Sequence, residues 1–207
     1  MDLNNIIYFL LASITLTLMP GPDIIFVITL SMTKGVKKGV STALGLCTGL
    51  FVHTAAAAIG ISAVIYHSAL AFQILKYAGA LYLFYLAWQA LKKSNTVRME
   101  QSHARQGCFT LYKRGIWMNL LNPKVSVFFL AFLPQFVDPE AGSVSLQMIW
   151  LGGIFILQAL VVFTLVSSLS GYLGEKLLQR TSRSRVIQWL EASVYSIVGL
   201  RLVLLER

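Results

Sequence analysis

Residues 6–31 read IIYFLLASITLTLMPGPDIIFVITLS, and their only charged residue is Asp23. A helix needs about 20 mostly apolar residues to cross the hydrocarbon core of a bilayer, and this run is long enough. Met19-Pro20-Gly21-Pro22-Asp23 interrupts it. Pro20 and Pro22 each remove an N–H donor and clash with the preceding turn, while Gly21 offers φ angles that other residues resist. In lipid, the carbonyls freed at such a break need partners in protein or in a watery cavity. The stretch therefore predicts a membrane-spanning helix, broken near its middle beside a charge.

Five more apolar segments follow, so that six are expected in all: Ile6–Ser31, Val40–Tyr66, Ala69–Leu91, Gly115–Val137, Leu146–Gly171 and Val186–Leu204. The composition agrees, with 57% hydrophobic and 12% charged residues, whereas soluble domains carry about 25% charge. The net charge of +9 does not point to nucleic acid, because the basic residues lie between the apolar segments and not along an aromatic-interleaved face. Cys47 lies in an apolar run and Cys108 in a basic loop, so no disulfide is expected. The N-terminus has no basic region before its apolar run, which is too long for a signal peptide and is expected to stay as the first helix.

Thirteen of the seventeen Lys and Arg follow segments one, three and five. The opposite side has Asp138 and Glu140. The positive-inside bias makes the basic side cytoplasmic and puts both termini outside. The fold class expected is all-α: a polytopic membrane protein whose six transmembrane helices form two inverted three-helix repeats, residues 1–100 and 101–207. An odd number of spans per half turns the second half over relative to the first, a layout common in secondary transporters.

Segment four carries the second break, Asn119-Leu120-Leu121-Asn122-Pro123-Lys124. Eleven residues separate Asp23 from Lys34, and ten separate Arg114 from Lys124. At about 1.5 Å per residue, both charges lie ~15–17 Å from the basic side, near the midplane. Ionised groups at that depth are costly, so Asp23 and Lys124 are expected to face the bundle interior, as partners of each other. A kink can simply shape a helix, and an Asp–Lys pair can fix a register. Two broken helices in corresponding halves, each with a midplane charge, favour a substrate or ion site. His53 and Gln158 are secondary candidates, for proton or substrate contact or for plain interhelical hydrogen bonds. Gly45-x3-Gly49 with Ser41 reads as a packing face. Lys76 is expected to snorkel, and Glu191 to pair with Arg183 or Arg185.

At these residues the sequence resembles the LysE/RhtB family of amino-acid exporters. The resemblance rests on Pro20-Gly21-Pro22-Asp23 and on Asn122-Pro123-Lys124 with Phe128-Phe129 and Phe132-Leu133-Pro134-Gln135-Phe136. Gly45-x3-Gly49-x3-His53 and Leu75-Lys76-Tyr77-x-Gly79-x2-Tyr82-Leu83 support it, whereas Glu191-Ala192 departs from the glycine-rich patch expected there. The resemblance implies a non-enzymatic secondary transporter in the bacterial cytoplasmic membrane. It implies export of small amino acids or derivatives such as homoserine or threonine, by exchange with protons and without a cofactor or metal.

Its partners would be the amino acid, protons and lipid, with a homo-oligomer also considered. The expected site comprises Asp23, Lys124, Asn122, Pro20, Gly21, Pro22, Pro123, Asn119, His53 and Gln158, with Lys124 near the substrate carboxylate and Asp23 coupling to protons. An exporter of cations would want clustered carboxylates or soft ligands, which the broken helices lack. A thiol-redox membrane protein would need paired reactive cysteines. HExxH and GxSxG are absent from the sequence. A purely structural subunit would have no use for costly midplane charges.

Overall fold

The computed structural model describes residues 3–61 and 107–178, with isolated positions between 70 and 88 and at 196 and 200. Most of segments three and six, with the expectations for Lys76, Arg183, Arg185 and Glu191, lies outside the described residues. The described residues are helical. Helix α1 is Leu3–Leu18, α2 Pro22–Lys34 and α3 Val36–Ala56, the last continued by a wide turn over Ala57–Ile61. After the gap come α4 (Cys108–Leu120), α5 (Pro123–Val127) with its continuation through Phe136, and α6 (Val144–Leu178).

The two sequence breaks are bends. The first segment turns by 58° between Leu18 and Pro22, and the fourth by 50° between Leu120 and Pro123. Val36–Gly60 and Val144–Tyr172 are each long and apolar enough to cross a membrane alone, and each bent pair meets the same test as one broken span. Along α6, Leu157, Val161, Leu165 and Leu169 form an exposed stripe at every fourth residue. Such a stripe is unfavourable in water and costs nothing against lipid tails. The protein is therefore a helical membrane protein.

Contacts between elements give the chain direction. Phe9 of α1 packs edge-on against Phe136 at 5.3 Å, and the Ser145 hydroxyl donates to the Ala58 carbonyl at 3.0 Å. Those residues share one end with Asp138 and Glu140. At the other end the Ser41 hydroxyl donates to the Cys108 carbonyl, and Ser167 to the Val36 carbonyl at 3.2 Å. Lys34, Lys37, Lys38, Lys113 and Arg114 belong to that second end. The first and fourth segments thus run in opposite directions, as the charge pattern predicts.

Small residues let the helices touch. A Cβ on Gly45 would collide with the Tyr112 carbonyl, and one on Gly115 with the Thr42 carbonyl, so α3 and α4 cross backbone to backbone. The expected packing face is real, and its partner is Gly115. Gly39 similarly admits the Ser31 and Ser167 hydroxyls, which bond each other at 2.7 Å between α2 and α6. Nearer the acidic end, Phe9, Phe128, Phe129, Phe132, Phe136 and Phe155 form one buried aromatic cluster. Cys47 is buried, Cys108 is exposed, and both are free thiols.

Candidate functional site

The two bends meet at one depth. Asn122 is the N-cap of α5: its side-chain carbonyl accepts from the Lys124 backbone N–H at 3.0 Å. N-capping uses only the oxygen of the amide. The amide's other end, Nδ2, donates to Asp23 Oδ2 at 2.7 Å, across 99 positions of sequence. Aspartate could cap the helix equally well but, ionised, has nothing to donate, whereas the carboxamide caps through its oxygen and donates through its nitrogen.

Lys124 follows from the same physics. Pro20 has no N–H for the carbonyl four residues back, which is that of Leu16. Lys124 Nζ donates to this carbonyl at 3.0 Å, with a longer contact of 3.4 Å to the Met19 carbonyl. Its charge therefore satisfies the broken C-terminal end of α1, where a cation also meets the favourable end of the helix dipole. Gly21 has φ −137° and ψ −180°, extended geometry that any residue adopts. What glycine offers here is room and not φ: a Cβ there would stand 3.1 Å from Lys124 Nζ, a tight contact.

The second break keeps a backbone donor. Pro123 withholds an N–H from the Asn119 carbonyl, which accepts instead from the Asn122 N–H at 3.0 Å, and His53 Nε2 lies 3.2 Å from the same oxygen. Since a carbonyl only accepts, His53 is the donor. Asn119 itself lies against Gly49, whose absent side chain makes the space: a Cβ there would be 2.7 Å from Asn119 Oδ1. Gly49 and His53, one turn apart on α3, thus receive the broken end of α4.

Asp23, Asn119, Asn122 and Lys124 are all buried, the most exposed of them at 6%. Asp23, Asn119 and Lys124 line a cavity of about 20 Å³ with Thr17, Leu50 and Phe155. That is room for roughly one water molecule. Among the described residues, Asp23 Oδ1 has no hydrogen-bond partner. The hydrogen bond to Asp23 comes from Asn122, while Lys124, the partner expected from the sequence, faces the same cavity as an opposite charge with its own hydrogen bonds to α1.

Gln158 is buried on α6, and its Nε2 donates to Thr17 Oγ1 at 2.9 Å, tying α6 to α1. Thr17 in turn donates to the Ser13 carbonyl at 2.9 Å. Sequence reasoning passed over Thr17 and Phe155. The polar positions Ser13 and Thr17, four apart and both buried on a mostly apolar helix, were the available signal for an inward face. Among the described residues no three of His, Cys, Asp and Glu lie together as metal ligands would.

Fold and site together define a polytopic helical membrane protein with a buried, hydrogen-bonded site, holding an acidic and a basic side chain, where two broken helices meet. The chain belongs to the LysE type translocator family, which matches residues 14–206. It is 36% identical over 156 residues to the homoserine/homoserine lactone efflux protein of Salmonella typhimurium, covering 75% of each chain. It is 33% identical over 138 residues to the leucine efflux protein of Klebsiella pneumoniae, covering 66% of this chain and 65% of that one. An uncharacterized membrane protein of Bacillus subtilis is 28% identical over 195 residues, with 90% of this chain and 92% of that one aligned. No solved structure matches significantly.

Proposed function

We propose that the protein exports small amino acids or their derivatives, of the homoserine, threonine or leucine type, from the cytoplasm in exchange for protons. The observation that carries this reading is the buried carboxylate of Asp23, held by Asn122 beside a water-sized cavity where the two bends meet. A zwitterion needs one group of each sign, and Asp23 and Lys124 supply both within one site. Relatives named as homoserine and leucine efflux proteins support this substrate class.

Transport would proceed by alternating access. The aromatic cluster around Phe128 stands on the acidic side of the site, and the Ser31–Ser167 contact with Gly39 on the basic side. Parting one while the other holds would open the cavity to one face at a time. The bends are the natural hinges, since a proline interrupts the helical ladder at each and side chains help to hold the carbonyls there. Six spans in two inverted halves, both termini outside and the bacterial inner membrane are the topology that goes with this reading.

A panel of radiolabelled amino acids, including L-homoserine, L-threonine and L-leucine, tests it in proteoliposomes with an imposed pH gradient. Saturable, gradient-dependent uptake of at least one is expected. Uptake of none, alongside transport of an inorganic cation, would replace the reading with ion export.

A further inference from the structure

The cavity at the two bends has an unused hydrogen-bonding capacity of one kind. Asp23 is 4% exposed; Asn122 takes its Oδ2, and Oδ1 has no partner. Among the described residues, every buried side-chain atom without a partner is an oxygen, so the interior lacks donors and not acceptors. A buried carboxylate oxygen left unpaired is costly, and a ligand with N–H groups relieves that cost. The about 20 Å³ available is room for a group of a water molecule's size, which an ammonium head is.

We infer that Asp23 Oδ1 is the docking point of the substrate's ammonium group and also the place where the exchanged proton binds, so that amine and proton exclude each other at one oxygen. The inference rests on the proposed amino-acid export. Protonation turns Oδ1 from an acceptor into a donor, and an ammonium has only donors to offer. One oxygen therefore carries either the proton or the amine, which is the condition for exchange without a second coupling site.

The charged groups around Asp23 fit this arrangement. Lys124 faces the cavity from α5, with N–H groups on the Leu16 and Met19 carbonyls. His53 of α3 reaches the neighbourhood only through the Asn119 carbonyl. The residues that α1 and α6 contribute to the lining, Leu16, Thr17, Phe155 and Phe163, carry no charge. A metal ion would meet one carboxylate and the repulsion of Lys124, whereas a zwitterion brings its own anion for the lysine. The Phe155 and Phe163 rings offer the aliphatic part of the substrate an apolar wall.

The test is equilibrium binding of L-leucine and L-homoserine to the detergent-purified full chain, compared with their N-acetyl derivatives, from about pH 8 down to about pH 5. Acetylation removes the ammonium and keeps the carboxylate, and should weaken binding at least about ten-fold. The apparent Kd of the free amino acid should rise as pH falls, by up to about ten-fold per pH unit, as expected for a single competing proton. Asp23→Asn should bind weakly and without pH dependence. If that variant does not fold, the acetylated pair decides alone. Equal affinity for free and acetylated forms, or pH-independent binding by the wild type, would overturn the inference and leave amino-acid export standing. Failure of any free amino acid to bind would overturn both.

Discussion

Replacing Lys124 by methionine should destabilise the protein severely, and replacing Asp23 at the same time should restore much of the loss. Methionine keeps the length of the side chain and removes the ammonium. The Leu16 carbonyl then loses its donor at 3.0 Å, a charged hydrogen bond of about 1.5–3 kcal/mol. The carboxylate of Asp23 is left in the same cavity without the opposite charge. Breaking a buried pair in this way costs about 3–5 kcal/mol in all. At roughly 2–4 °C per kcal/mol for a chain of this size, the midpoint should fall by about 6–20 °C.

In Asp23→Asn/Lys124→Met no buried charge remains uncompensated, and the carboxamide can still accept from Asn122. The residual cost should be that of the α1 carbonyls alone, about 1–3 kcal/mol. Thermal unfolding in detergent, followed by loss of the monodisperse chromatographic peak, measures all three variants. A Lys124→Met midpoint within about 2 °C of wild type, or a double variant as unstable as the two single losses added, would refute the coupling of the two charges.

Other positions give independent checks by the same assay. Gly45→Ala and Gly115→Ala should each cost about 1–3 kcal/mol, because the new Cβ meets backbone of the facing helix, while Gly153→Ala meets nothing and should stay within about 0.5 kcal/mol. Gln158→Leu removes the donor to Thr17 and should cost about 0.6–1.7 kcal/mol, the range of hydrogen bonds between membrane helices. Cys47→Ser/Cys108→Ser should transport as the wild type does, since the thiols are apart and unbonded; loss of transport would return attention to thiol chemistry.

Segments one, two, four and five and the two breaks were legible because their causes are local. Apolar runs of sufficient length, prolines inside them and lysines between them are properties of neighbouring residues. The meeting of the two breaks was legible too, since helical rise is constant: counting from Lys34 and from Arg114 put Asp23 and Lys124 level, and the two line one cavity, with Asn122 bonded to Asp23. Which groups pair at that depth was not legible. The sequence shows that Pro20 and Pro123 each withhold a donor from a carbonyl, but only packing decides that Lys124 serves Leu16 while the Asn122 N–H and His53 share Asn119. Gly21 misled for the same reason. Its freedom of φ is a property of the residue, whereas the room it leaves for Lys124 belongs to another helix. Thr17 was passed over because a single hydroxyl in an apolar helix bonds its own backbone as readily as anything else.

The central claim is that the carboxylate between the two bends couples transport to protons. It is tested most directly by Asp23→Asn in proteoliposomes loaded with a labelled amino acid that the wild type transports, with and without an imposed pH gradient. The account predicts that the gradient accelerates and concentrates transport in the wild type and has no effect on the variant. Gradient-driven accumulation by Asp23→Asn equal to that of the wild type would contradict it.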